Sequence, residues 1–397
     1  MRRLVVPRIA EGVYSVGARD SDRRAMDASV PLPAGTTYNS YLVLGRKKHA
    51  LVDTVAPGFE CDLLARVDQP SDLHGLDYVV MNDAGPDHAG AVQAVLKAAP
   101  DALLVASHKG AQMARRFFCI PEQRMLPVKE GDMLDLGGAT LSFMEAPMLP
   151  RPETMFTYLR EQGVLFSCEL FAAHTSAGIC DEDVDDIVHL AKRHFGQALM
   201  PFRAFGKKVL ERLAGVNVNV IAPGHGPVYR NPRKILDAYG TWTSGATEEK
   251  ALVAYASMRS STAAMAAVLA EELVGAGMDV RLHNLGVAEA GELAADMVDS
   301  RAIVLGSPTY HGGLHPLALG FMDTLRYLRP PAKFSAFFGT FGWSGGALKS
   351  ASEMFSRMGI EMTGGLEVHG PPQDKDMLAL ADLGRQIAEK MKEKHEG

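Results

Sequence analysis

The chain has 397 residues, 47% of them hydrophobic and 22% charged, with a formal net charge of −6. That composition is typical of a soluble globular protein with room for two or three domains, and the negative balance argues against nucleic acid or an anionic membrane as the main partner. No apolar run is long enough for a membrane span, and Met1-Arg2-Arg3 leads into mixed sequence rather than a signal segment. Cys61, Cys119, Cys168 and Cys180 lie apart without a Cys-x-x-Cys pair, so free thiols in a reducing cytoplasm are expected.

In chain order, residues 1–247 alternate short β-branched runs with Gly, Pro and Asp turns. Strands are expected at 41–44, 50–53, 78–81, 102–105, 141–144 and 218–221, and helices at 89–99 and 109–118. Hairpin-like strands with helices interspersed suggest an α+β sandwich. The stretch 239–250, Y-G-T-W-T-S-G-A-T-E-E-K, has the polar, Gly-containing composition of a linker. Residues 248–397 then read as regular strand, loop and helix. Strands are expected at 251–255, 279–282, 302–305, 335–339 and 365–368, and helices at 261–276, 316–328, 345–358 and 375–394. That is an α/β, doubly wound parallel sheet of about five strands.

In such a sheet, ligands sit outside the carboxyl ends of the strands. Three loops fall there. The first, Ser257-Met258-Arg259-Ser260-Ser261-Thr262, delivers hydroxyls and backbone N–H groups onto a helix N-terminus, which suits a phosphate. It has no Lys and no Gly-x-x-x-x-Gly-Lys pattern, so it does not resemble an NTP P-loop. The second includes Ser307-Pro308-Thr309-Tyr310-His311-Gly312, and the third Thr340-Phe341-Gly342-Trp343-Ser344-Gly345. Tyr310 and Trp343 can wall a flat ring, and the glycines let backbone N–H groups approach its edge. Hydroxyl loops of this kind hold the monophosphate of FMN in flavodoxins, and one FMN per chain is expected here.

Gly306-Ser307-Pro308-Thr309-Tyr310 and Gly342-Trp343-Ser344-Gly345-Gly346 resemble the flavin loops of flavodiiron proteins (A-type flavoproteins). Gly35-Thr36-Thr37-Tyr38-Asn39-Ser40-Tyr41-Leu42, Leu51-Val52-Asp53-Thr54, Met155-Phe156-Thr157-Tyr158 and Pro223-Gly224-His225-Gly226-Pro227 resemble the same family, so the likeness covers nearly the whole chain. It implies a metallo-β-lactamase-like αβ/βα sandwich over 1–247, followed by a flavodoxin-like FMN domain over 248–397. It also implies a diiron site that reduces O2 or NO with electrons from the flavin. The expected assembly is a head-to-tail homodimer, in which one subunit's flavin meets the other's metal site. An electron donor such as a rubredoxin or a flavin reductase must come from outside, because neither is fused to this chain.

The chain also departs from that pattern. The family's ligand motif is His-x-Glu-x-Asp-His, and the corresponding stretch here runs from Asn82 to Gly90. Asp87 and His88 are kept, Asp83 stands for the first His, and Gly85 for the Glu. The next His falls at Pro150, the bridging Asp at Glu169, and the last His is kept as His225. One metal position thus loses the donors at 83, 85 and 150, while Asp87, His88, Glu169 and His225 form an oxygen and nitrogen set suited to one Fe or Zn ion. Asp83, Glu153 and His174 are conceivable substitutes at the first position. Taken singly, the kept residues also have structural readings: Asp87 as a helix N-cap, His225 in a tight turn. A metal-free relic is therefore the alternative to a one-metal site. The leading functional expectation is an FMN redox protein with a degenerate metal centre. The alternatives are an O2 or NO reductase with a rebuilt site, and a docking or heteromer subunit whose first domain is scaffold. A zinc hydrolase would leave the flavin domain without a role.

Overall fold

The computed structural model describes residues 6–393; Met1-Arg2-Arg3 and Lys394, the expected last residue of the final helix, lie outside the described residues. The chain divides into two compact units. One runs to Phe195 and resumes over Phe202–Thr243, and the other comprises Gly196–Pro201 and the chain from Ser244 onward.

In the first unit, seven strands form one sheet in the order Arg8–Ala10, Val13–Ser15, Tyr41–Leu44, His49–Val52, Tyr78–Met81, Leu103–Ser107 and Met125–Val128. Successive side chains on a strand point to opposite faces. Leu42, Leu51, Val79 and Leu104 therefore pack with Leu63, Val67, Val92 and Val95 of the helices Glu60–Val67 and Val92–Ala98. Their neighbours Val43, Val52, Val80 and Val105 face Leu141, Phe143, Met155 and Phe166 of a second sheet. That sheet has five strands, in the order Met133–Asp135, Thr140–Glu145, Met155–Leu159, Val164–Cys168 and Val220–Pro223. Both faces of the central strands are buried, which is why they read as continuous apolar runs rather than alternating ones. The architecture is the αβ/βα sandwich of a metallo-β-lactamase-like domain.

The second unit is a parallel five-stranded sheet in the order Asp279–Asn284, Glu248–Tyr255, Ser300–Gly306, Phe334–Phe341 and Glu361–His369. The direction of winding reverses beside Glu248–Tyr255, and that reversal opens the crevice in which such sheets bind ligands. The register pairs Tyr255 with Gly306 and Gly306 with Phe338, so three strands end at one edge and their loops emerge together.

One expectation is corrected. The stretch 239–250 is not a linker throughout: Arg233–Ser244 is a helix, and a strand begins at Glu248. Tyr239 and Trp242, three residues apart, share a helical face and pack on Phe195, and that apolar contact overrides the polar composition around them. The helix Ala290–Met297 was not anticipated, although Glu289 caps it by accepting from the N–H groups of Gly291 and Glu292. Among the described residues, no helix is long and apolar enough to cross a membrane.

Candidate functional site

At the ends of the sandwich strands, three segments converge. After the strand Tyr78–Met81, the chain turns into the short helix Pro86–Ala89, which carries Asp87 and His88. Glu169 follows the strand Val164–Cys168, and His225 follows Val220–Pro223. The N–H of Gly224 donates to the Cys168 carbonyl at 2.7 Å, tying the last two turns together. Gly226 has a φ of +79°, and a Cβ there would lie 1.9 Å from the Ala173 carbonyl oxygen, so the turn that aims His225 admits only glycine.

One ligand atom from each of Asp87, His88, Glu169 and His225 lies within 4.8 Å of all the others. His88 Nε2 is 3.0 Å from Glu169 Oε1 and 3.5 Å from Asp87 Oδ2, and His225 Nε2 is 3.3 Å from Asp87 Oδ2 and 3.9 Å from Glu169 Oε1. Donors on a tetrahedral ion with bonds of about 2.1 Å stand about 3.4 Å apart, so this set fits one ion. His225 Nδ1 donates to the Thr37 carbonyl at 2.5 Å, and its buried Nε2 has no hydrogen-bond partner. That is the tautomer in which Nε2 presents a lone pair to a metal. Asp87 is not an N-cap. Gly85 holds that position, and the Asp87 carboxylate turns to the two imidazoles instead. Burial opposes charge on Glu169, yet its hydrogen bond from His88 and the nearby His225 and His194 hold its pKa well below the ordinary range.

The first metal position is built differently. Asp83 is fully buried, and its Oδ1 accepts from the Gly85 N–H at 2.6 Å and from the Arg151 guanidinium, while its Oδ2 accepts from the Thr154 hydroxyl at 3.1 Å. Gly85 and Pro150 have no side-chain donor. Glu153 Oε1 accepts from the Ala84 N–H at 3.3 Å. His174 bridges the Thr36 hydroxyl at 3.0 Å and His194 at 3.2 Å. None of the three conceivable substitutes joins the group that could hold an ion among the described residues, and the residues of this position do not fit a second metal.

In the other unit, a cleft of about 400 Å³ opens at the carboxyl edge of the parallel sheet. The first loop contributes Met258, Arg259, Ser261 and Thr262, the second Pro308 and Thr309, and the third Thr340, Phe341, Gly342, Trp343 and Ser344. Gly370 and Pro371, after the last strand, complete its wall. The helix Ser261–Gly275 starts here without a side-chain bond from its N-cap Ser260, which leaves the N–H groups of Ser261 and Thr262 for a ligand anion, while the Ala263 N–H is taken by Ser257. Ser257, Ser260, Ser307, Tyr310, His311, Gly312 and Gly345 do not line the cleft. Ser257 Oγ accepts from the Ala263 N–H, and the buried Ser307 hydroxyl bonds within its own loop to the Pro308 carbonyl and the His315 N–H. Tyr310 and His311 stack edge to face on the small hairpin Thr309–Tyr310 and Gly313–Leu314, while Trp343 on the cleft rim is 91% exposed.

Residues 36–226 match the family described as ODP family beta lactamase, and residues 253–383 match flavodoxin. The chain is 35% identical over 389 residues to the nitric oxide reductase of Moorella thermoacetica, covering 96% of this chain and 97% of the relative. It is 31% identical over 398 residues to the coenzyme F420H(2) oxidase of Methanothermobacter marburgensis, with 96% and 97% covered. Its fold superposes on rubredoxin oxygen:oxidoreductase from Desulfovibrio gigas with a TM-score of 0.93 at 29% identity, over 98% of this chain and 99% of that one. The flavodiiron protein from Giardia intestinalis gives 0.93 at 25%, with the same coverage. The chain belongs to the flavodiiron family.

Several residues of this flavodiiron chain's sites escaped the sequence reading. Arg151 sits between Pro150 and Pro152 and gave no signal beyond its place next to a lost ligand. His194 lies on the helix Ile187–His194, and its Nε2 stands 3.3 Å from Glu169 Oε2. Glu367, on the last strand, accepts from the Thr309 hydroxyl and, at 3.1 Å each, from the N–H groups of Gly346 and Ala347. These long-range partners have no spacing signature in the chain.

Proposed function

We propose that the chain is an FMN-dependent redox protein whose metal centre takes at most one ion. Residues 1–247 serve as the metal-bearing domain and 248–397 as the flavin domain. The observation that carries this reading is the contrast between the two sites: a cleft lined by three sheet-edge loops in one unit, and in the other a complete donor set beside a position stripped of donors. FMN, when bound, exchanges one or two electrons. The loop Ser257–Thr262 and the start of the helix Ser261–Gly275 would hold its phosphate, and Thr309 together with 340–344 would hold the ring and exclude water from it. Asp87, His88, Glu169 and His225 would hold one Fe or Zn ion.

The protein would work in the cytoplasm, consistent with its free, well-separated cysteines. It would assemble as a head-to-tail homodimer and take electrons from an external donor protein. The purified protein should be yellow and release FMN on heating. A colourless protein that takes up no FMN at micromolar concentration would overturn the reading. The second reading, a working O2 or NO reductase, draws support from the names of the relatives at 35% and 31% identity. Anaerobic mixing of the reduced protein with O2 or NO separates the two, with slow consumption expected for a carrier and rapid turnover for a reductase.

A further inference from the structure

The Arg151 guanidinium lies against Asp83 and Gly85, two of the three positions at which the family pattern has a ligand and this chain does not. Its Nη1 pairs with Asp83, and the Arg151 side chain is only 29% exposed. A Cβ built on Gly85 would stand 2.3 Å from Arg151 Nη1, 2.7 Å from its Cζ and 2.5 Å from Asp87 Oδ1. The guanidinium is therefore packed directly against the glycine, next to a residue of the candidate donor set. Its backbone is fixed, because the Arg151 carbonyl accepts from the N–H groups of Met148 at 2.8 Å and Thr154 at 3.3 Å. Burial works against its charge, and the facing carboxylates of Asp83, Glu169 and Asp87 outweigh that cost and keep it cationic. The buried carboxylates of Asp83 and Glu169 and the largely buried one of Asp87 demand positive charge, while burial and the neighbouring Asp83 push the pKa of a fourth, Glu153, up toward its neutral form. A single divalent ion at Asp87, His88, Glu169 and His225 leaves one negative charge over, and one guanidinium balances it.

We propose that Arg151 is a built-in replacement for the second metal: a fixed monovalent cation seated on Gly85 and paired with Asp83, which closes the first position to any ion. This rests on the one-metal reading. Restoring the three lost donors by Asp83→His, Gly85→Glu and Pro150→His does not rebuild a two-metal centre on its own, because the side chain at 85 and the guanidinium compete for one space. Removal of Arg151 is also required.

The test is metal content after anaerobic loading with Fe(II), and separately with Zn(II), followed by dialysis against a chelator. Wild type and the triple variant should each retain no more than one ion per chain. The triple variant combined with Arg151→Ala should retain two. A triple variant that retains two ions, or a fourfold variant that retains no more than one, overturns the role of Arg151. Two ions in wild type would instead overturn the one-metal reading itself.

A thermal cycle covers the case in which the multiple variants fail to fold. Gly85→Ala should lower the Tm of wild type by several degrees and that of Arg151→Ala by less, because the guanidinium contact is gone while the Asp87 contact at 2.5 Å is common to both backgrounds and cancels in the comparison. Equal losses in both backgrounds overturn the seating of the guanidinium on Gly85. Arg151→Ala leaves Asp83 buried without its partner, so adding Asp83→Asn should recover part of its Tm loss. Failure to recover contradicts the ion pair.

Discussion

Glu367 shows how one side chain can set the shape of a cofactor cleft. Its carboxylate gathers the Thr309 hydroxyl from the second loop and the N–H groups of Gly346 and Ala347 at the start of the helix Ala347–Met358. Those partners flank the cleft wall without lying in it, apart from Thr309 itself. Glu367→Ala strands them, at a cost of about 1–3 kcal/mol for the groups left unmade. It should raise the Kd for FMN roughly tenfold in a fluorescence titration, and Glu367→Gln, which keeps one acceptor, should lose less. Asp53 makes a second residue-scale case. It adopts a φ of +56°, a conformation that Asn tolerates, and accepts from the Asn82 N–H at 2.8 Å and the Asn82 amide at 3.0 Å. Burial pushes its pKa up to about 7, against the opposing pull of His88 and the Asn82 bonds. Between the unfolded value near 4 and this folded value, the native state holds a proton that the unfolded chain has released, so stability falls as pH rises through that window. Asp53→Asn should flatten the fall in unfolding free energy between about pH 4 and pH 7 by an amount on the order of a few kcal/mol. An unchanged slope would show that Asp53 is ionised throughout.

At the scale of elements, the parallel sheet holds a buried ion pair that its strand pattern does not announce. Lys250 Nζ sits 2.7 Å from Asp299 Oδ1, with both side chains nearly inaccessible, where the strand Glu248–Tyr255 begins beside Ser300–Gly306. Removing Asp299 leaves the buried Lys250 with the more distant carboxylates of Glu248 at 3.7 Å and Asp279 at 4.0 Å, so Asp299→Ala should cost up to about 3 kcal/mol in urea unfolding of the flavodoxin unit, while Lys250→Met with Asp299→Leu should recover most of it. The same sheet shows what the sequence made legible. Runs such as 302–305 are apolar on both faces, and the loops after them carry Gly, Ser and Thr where a phosphate and a ring would sit, so strands and cleft could be read in order. The sandwich was harder to read, because its short edge strands Arg8–Ala10 and Met133–Asp135 bury too little to leave a period. The helix Arg233–Ser244 was hidden by Gly240, Thr241 and Thr243, and is held by Tyr239 and Trp242 packing on residues distant in sequence. The candidate donors Asp87, His88 and His225 were visible because they lie in short motifs. Arg151 was not, because its meaning comes from Asp83 and Gly85 across the fold.

At the scale of the whole molecule, the flavin cleft and the donor set belong to different compact units of one chain. A head-to-tail dimer would let one subunit's flavin serve its partner's metal site. Sedimentation should therefore report a species of twice 42.7 kDa at working concentration, and a persistent 42.7 kDa monomer would contradict the arrangement. The central claim is that this flavodiiron chain keeps one metal position and has given up the other. The most direct measurement is metal and FMN per chain in the protein as purified, by elemental analysis alongside flavin absorbance. The account predicts one FMN and no more than one tightly bound ion, lost when His88 and His225 are both replaced by Ala. Two tightly held irons per chain in the unmutated protein would contradict it.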